Sequence, residues 1–221
     1  MKLMARTAAL VASSAMAIAF GAANPAQAAN FSFRGNFTKD NDVQLFNFTV
    51  GSPSNVTLKT FSYAGGTQAD GTIVSRGGFD PILSLFDGNG NFIARNDDGS
   101  SSNVGTDPVT NNTYDTFLQS ALNPGSYTVA VAQYNNFLNG TTGQNISLGF
   151  LRDGQPNFAN GFSEGIGNQR TNAWAFDVLN VDQSNAVTAV PTPALLPGLI
   201  GLGVAALRKR KAEAAEQAND A

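Results

Sequence analysis

"FDPILSLFDGNGNFIARNDDGS", Phe79 to Ser100, is the stretch whose reading decides the fold. Ile82–Phe86 and Phe92–Arg95 are apolar runs of strand length, too short for a stable helix. Between them "DGNGN", Asp87–Asn91, carries the Asp, Gly and Asn residues of a tight hairpin turn. The segment reads as strand, acidic turn, strand, acidic turn.

Working outward, the same punctuation recurs from Asn30 to Asp182, where no stretch keeps a helical period over three turns. Further strands are expected at Phe31–Arg34, Val43–Val50, Val56–Tyr63, Phe117–Leu122, Ser126–Tyr134, Ile146–Leu151 and Ala173–Val181. "SYTVAVAQY" alternates Tyr127, Val129 and Val131 against Thr128, Ala130 and Ala132, and "NPGS" at Asn123–Ser126 turns the chain into it. About nine short strands joined by Gly- and Asn-rich turns indicate an all-β fold, an antiparallel β-sandwich of jelly-roll type. The 16 phenylalanines of the chain fall mostly on these strands and would supply much of its core. Four connections are long and polar, Ala64–Gly78, Gly99–Thr113, Asn135–Gln144 and Asp153–Gln169, and long loops on a rigid sandwich are natural binding sites or tolerated insertions.

Both ends of the 221-residue chain read as addresses. Lys2 and Arg6 precede an apolar run, Thr7–Phe20, and Ala26-Gln27-Ala28 is a small-x-small cleavage site, so residues 1–28 form an export signal. Residues 29–188 then make one domain, with seven Lys or Arg against thirteen Asp or Glu, a net −6. That sign repels phosphate backbones, so no nucleic-acid partner is expected. It leaves spare carboxylates for a hard cation.

The chain has no Cys and no His. Disulfides, the usual zinc sites and His-based nucleophile systems are thereby excluded, and a carboxylate pair of glycosidase type is the main catalytic chemistry left open.

The densest group of oxygen donors lies in the opening stretch. Strand direction and the hairpin reversal bring Asp80 and Asn96, Asp97 and Asp98 to one end of the sheet, with Asp87 and Asn89 at the other. Asp115 joins the first group if the Phe117 strand starts at that end. Hard oxygen ligands without any soft one suit calcium, although the spacing is not that of an EF-hand. The plainer alternative is that these Asp and Asn side chains close turns. Trp174, Tyr63, Tyr114 and Tyr134 could form a sugar-stacking face, or serve as core and rim.

"DVQLFNFTV", "FDPILSLFDGNGNFIARNDDG" and "YDTFLQSALNPGSYTVAVAQY" together resemble the pre-peptidase C-terminal (PPC) type of bacterial β-sandwich, over about Val43 to Tyr134. The D-P-x-L-x-L-F-D strand is matched at Asp80–Asp87, the N-D-D turn at Asn96–Asp98 and the P-G-x-Y-x-V strand at Pro124–Val129. The resemblance implies a non-catalytic exported domain, often calcium-stabilised, with calcium at Asp80, Asp97, Asp98 and Asp115. The loops Ala64–Gly78 and Asp153–Gln169 depart from the compact family form.

The tail has its own pattern. Val190–Leu207 is a run of 18 residues without charge, about 27 Å long as a helix, enough for a thin bilayer core. Arg208, Lys209, Arg210 and Lys211 follow and mark a cytoplasmic end, leaving residues 212–221 as a stub inside the cell. The motif Pro191-Thr192-Pro193-Ala194 before the helix is similar to the PTPA variant of the PEP-CTERM sorting signals. That resemblance implies, for residues 189–211, recognition and cleavage by an exosortase-like membrane protease; a plain single-span anchor is the alternative.

The expectation is a non-enzymatic protein of the cell surface or extracellular matrix, structural or adhesive, with polysaccharide as a candidate partner and calcium as a candidate cofactor. A carbohydrate-binding module or a carboxylate glycosidase using Asp97, Asp98 or Asp115 is the alternative. Asp97 and Asp98 make a poor acid–base pair, because neighbouring strand residues point to opposite faces.

Overall fold

The computed structural model describes residues 28–140, 144–164 and 168–187. Apart from Ala28, the expected export signal lies outside the described residues, as do the sorting motif Pro191–Ala194, the apolar run and the basic cluster Arg208–Lys211. Among the described residues no helix is long and apolar enough to cross a membrane.

The described chain is all-β. One sheet holds β1 (Ala29–Asn36), β10 (Ala173–Val181), β3 (Ser54–Thr60) and β8 (Phe117–Leu122), side by side in that order. The other holds β11 (Gln183–Val187), β2 (Val43–Val50), β9 (Gly125–Gln133), β6 (Pro81–Asp87) and β7 (Phe92–Asn96). A ribbon of two-residue strands, β4 (Gly66–Thr67) and β5 (Ile73–Val74), stands apart. Every neighbouring pair of strands is antiparallel. Hairpin β6–β7 is nested inside the pair β3–β8, then β2–β9, then β1–β10. One long hairpin folded over itself in this way places alternate pairs in opposite sheets, the winding of a jelly roll.

The inner faces meet in one apolar core. Phe46 and Phe48 of β2, Leu83 and Leu85 of β6, and Val129 and Val131 of β9 pack with Val56 and Leu58 of β3 and Phe176 and Val178 of β10. Phe46 joins the sheets directly, with ring centroids 4.8 Å from Phe33 and 4.9 Å from Phe176. Each such fully buried side chain contributes about 1.5–3 kcal/mol through the water it sheds.

The strands expected at Val43–Val50, Phe117–Leu122 and Ala173–Val181 have those bounds. Ile146–Leu151, expected as a strand, instead forms a single 3-10 turn at Ile146–Leu148 followed by further turns. Its apolar residues are satisfied another way. Ile146 and Phe150, with Leu138, lie against Phe86 and Ala130, which point away from the main core. The loop after β9 thus roofs the outer face of the second sheet. With both its faces covered, β6 is buried from Pro81 to Phe86, which is why "PILSLF" reads as a continuous rather than an alternating run.

The outer face of the first sheet is covered by the loop carrying β4 and β5. Buried Asp177 on β10 accepts from Gln68 Nε2 and the Ala69 amide, both at 2.8 Å, and Arg34 bridges to Asp70 at 2.9 Å.

Candidate metal site

β6 and β7 run antiparallel with Leu83 opposite Asn96, so the residue before β6 and those after β7 emerge at the same end of the sandwich. Asp80, Asp97 and Asp98 meet there, each offering a carboxylate oxygen, all within 4.8 Å of one another. Asp80 is buried, Asp97 half-buried and Asp98 exposed. The Asp80 backbone is fixed by the Tyr134 amide, which donates to its carbonyl at 2.7 Å.

Among the described residues none of these three acids is in an ion pair, and the charge of Arg95 only partly offsets the rise at Asp97. Burial, then the charges of Asp98 and Asp97, push the Asp80 carboxyl up to about 9. Asp97 is pushed up to about 6, by burial first and by Asp98 second. Asp98 is raised by loss of surrounding water. Three oxygens at this end are buried with no hydrogen-bond partner among the described residues: Asp80 Oδ1, Asp97 Oδ1 and Gln133 Oε1. Gln133 ends β9 beside Pro81, on the inner face, where the core gives way to solvent. An unpaired buried acceptor costs roughly 1–3 kcal/mol, so three together ask for a positive group.

All three open into one pocket of about 460 Å³. Its far wall comes from the connection between β9 and β10. Asp40 holds that wall, accepting from the Asn157 and Ala159 amides at 2.6 and 2.7 Å. Phe162, at φ 72°, occupies a backbone region that bulky residues seldom adopt, and its ring lies 5.5 Å from that of Phe79 in the core. Glu164 also lines the pocket, but accepts from Tyr63 Oη at 2.7 Å and from the side-chain amide of Asn168.

The other residues expected at the site are engaged elsewhere. Asn96 accepts from the Phe117 amide at 3.0 Å and so ties β7 to the start of β8. Asp115 is buried, and burial raises its carboxyl. Its Oδ1 accepts from Thr60 Oγ1 and the Tyr63 amide, both at 3.0 Å, and its Oδ2 from the Ala64 amide at 2.8 Å. Both oxygens are spent on holding the chain after β3, and Asp115 stands outside the convergent trio. Asp87, at the opposite end, accepts from the Asn89 and Asn91 amides and closes its hairpin turn. Of the four aromatics, Tyr63 and Trp174 are buried in the body, whereas Tyr114 and Tyr134 line the pocket.

Gln133 is absent from the sequence reading as a site residue, and residues 157–164 enter it only as part of the long loop Asp153–Gln169. Gln133 looks like one more polar position on an alternating strand, and the wall lies in a connection without periodic pattern. Asp107 also escaped it. This buried acid accepts from Arg76 at 2.8 and 3.0 Å, from Arg170 at 3.3 Å, and from the Val109 and Thr110 amides. Arg170 lies in turn over the Tyr63 ring, 3.5 Å from its centroid.

No protein-family model matches the chain, and no curated protein matches it. Among solved structures it is similar to the pre-peptidase C-terminal domain of a collagenase from Bacillus anthracis. The identity is 11% and the TM-score 0.33, over 71% of this chain and 90% of that one.

Proposed function

We propose that this is an exported, non-enzymatic β-sandwich of the cell surface or extracellular matrix whose acidic pocket binds a calcium ion. The observation that carries the calcium reading is the convergence of Asp80, Asp97 and Asp98 together with the unpartnered oxygens of Asp80, Asp97 and Gln133. The donor set is oxygen only, as calcium prefers and as zinc or copper does not. The ion would replace a proton and a set of unpaired acceptors with one strong electrostatic partner, fastening the start of β6 to the end of β7. The resemblance of the D-P-x-L-x-L-F-D and N-D-D motifs to PPC-type domains supports the same reading.

The test is thermal melting of the full-length chain with calcium and with chelator. Calcium at about 100 times its Kd should add about 2.7 kcal/mol of stability, and Asp97→Asn should remove that increment. Equal melting with calcium and with chelator sinks the proposal.

Delivery is the work of the tail. In this reading the motif at Pro191–Ala194 is cut by an exosortase-like protease after the apolar segment has inserted, releasing the domain to the surface or matrix. Mass spectrometry of the native C-terminus checks it. A chain ending near Pro193 supports sorting, whereas peptides beyond Lys211 in the membrane fraction make the tail a permanent anchor.

A further inference from the structure

The pocket is much larger than a structural ion needs. Calcium takes six to eight oxygens at 2.3–2.6 Å, a shell held within a few ångströms of its centre. At about 460 Å³ the pocket instead falls in the size range of small-molecule sites. The convergent trio supplies one oxygen from each of three residues, so part of the shell is left to whatever fills the open side.

The walls restrict what that can be. The pocket is lined by Asp80, Asp97, Asp98 and Glu164 and by Arg152 and Arg170, whose Nε lies 4.0 Å from Glu164 Oε2; that is two more negative than positive charges, and a divalent ion brings the sum to zero. A pocket neutral once loaded, on a body of net charge −6, selects for a neutral ligand rather than an acidic one. The ring of Tyr134 is 47% exposed at the pocket rim, set edge-on against Phe137 at 5.8 Å. Its backbone amide is the donor to the Asp80 carbonyl, so this half-bare ring is tied directly to a residue of the acid trio. Arg152 is held over Phe158, 5.0 Å from the ring centroid, with Nε donating to the Asn135 carbonyl. Its terminal nitrogens are hydrogen-bonded to no described residue. An oxygen-seeking cation, an aromatic face and an uncommitted donor fork surround one neutral cavity.

We infer that the pocket binds a neutral saccharide, with a vicinal pair of sugar hydroxyls completing the calcium shell and the apolar face of the ring on Tyr134. A vicinal diol is pre-organised to replace two coordinated waters at once, and the terminal nitrogens of Arg152 can donate to a further hydroxyl. The inference rests on the calcium reading above.

The experiment uses the full-length chain and immobilised mannose, galactose, glucose and fucose, with immobilised glucuronate as the acidic comparison. Calcium binding is measured on the same preparation by calorimetry. At least one neutral sugar should retain the protein in calcium and release it in chelator. Tyr134→Ala should weaken that retention about tenfold while leaving calcium affinity unchanged, and Tyr134→Phe should keep it. Failure of calcium to bind at all overturns the metal reading, and the saccharide with it. Calcium binding without retention on any neutral sugar, retention unaffected by Tyr134→Ala, or retention on glucuronate alone overturns the saccharide assignment and leaves the metal standing.

Discussion

Two kinds of acid occur in this domain, and they sit a short way apart. Asp107 and Asp115 are buried and saturated. Burial alone would push Asp107 up, but the bonds from Arg76, from the Thr110 and Val109 amides and from Arg170 together outweigh it and hold the carboxyl at about 2. Asp115 has two donors on one oxygen and one on the other. Asp80 and Asp97, by contrast, each keep a buried oxygen with no donor among the described residues. A buried acid is therefore not in itself a site. The saturated acids are fasteners for loops, and the starved ones are where the proposed ion would sit.

The comparison breaks first at Asp107. Asp107→Ala takes from the buried guanidinium of Arg170 its nearer carboxylate, leaving Glu164 Oε2 4.0 Å from Nε, and should cost about 3 kcal/mol whether calcium is present or not. Urea melts of the variant in calcium and in chelator measure both halves of that statement. At the trio the pattern should invert. With its carboxyl pushed up to about 9, Asp80 keeps its proton at neutral pH, so Asp80→Asn swaps one neutral group for another and the cation-free melting temperature should hold, while the calcium-induced gain of about 2.7 kcal/mol at saturating ion is lost. Loss of stability in chelator as large as that of Asp107→Ala would place Asp80 among the fasteners.

Asp107 and the two starved acids also respond to pH in opposite directions. Asp80 and Asp97 are raised, so what their protonated forms contribute is complete below about pH 4. It is lost as pH rises through about 6 for Asp97 and about 9 for Asp80. Asp107 is lowered to about 2, so its contribution is present above about pH 4 and lost as pH falls towards 2. Cation-free protein should therefore melt lower at pH 9 than at pH 5, at about 2–4 °C per kcal/mol lost for a domain of this size, and calcium should flatten that slope. A slope identical with and without calcium would remove the trio as its source. The smallest effect should come from Asp87→Ala at the far hairpin, a slight lowering of the melting temperature from lost turn bonds, with calcium affinity unaltered.

How far the sequence carried depends on which force shaped each element. β2 alternates because one face meets the core, β10 alternates large residues toward the core with small or polar ones under the covering loop, and the bounds of both were legible to the residue. β11, "QSNAV", has no such pattern; it is an exposed edge strand held by pairing with β2 through Gln183–Thr49 and the four pairs beyond. Ile146 and Phe150 misled because an apolar residue roofing the outside of a sheet looks, in a single sequence, like one inside it. At the site, the hairpin alone placed Asp80 with Asp97 and Asp98, since antiparallel geometry fixes which ends coincide. Asp115 could be placed near them but not relieved of its role, because its donors, Thr60, Tyr63 and Ala64, are about fifty residues away in the chain.

In the proposed site a calcium ion takes the place of a proton on the trio. Calorimetric titration of calcium into chelator-treated full-length chain at pH 8, in two buffers of different ionisation enthalpy, tests it most directly. The account predicts saturable binding with release of about one proton per ion, lost in Asp97→Asn. Absence of binding, or binding with no proton released, would contradict it.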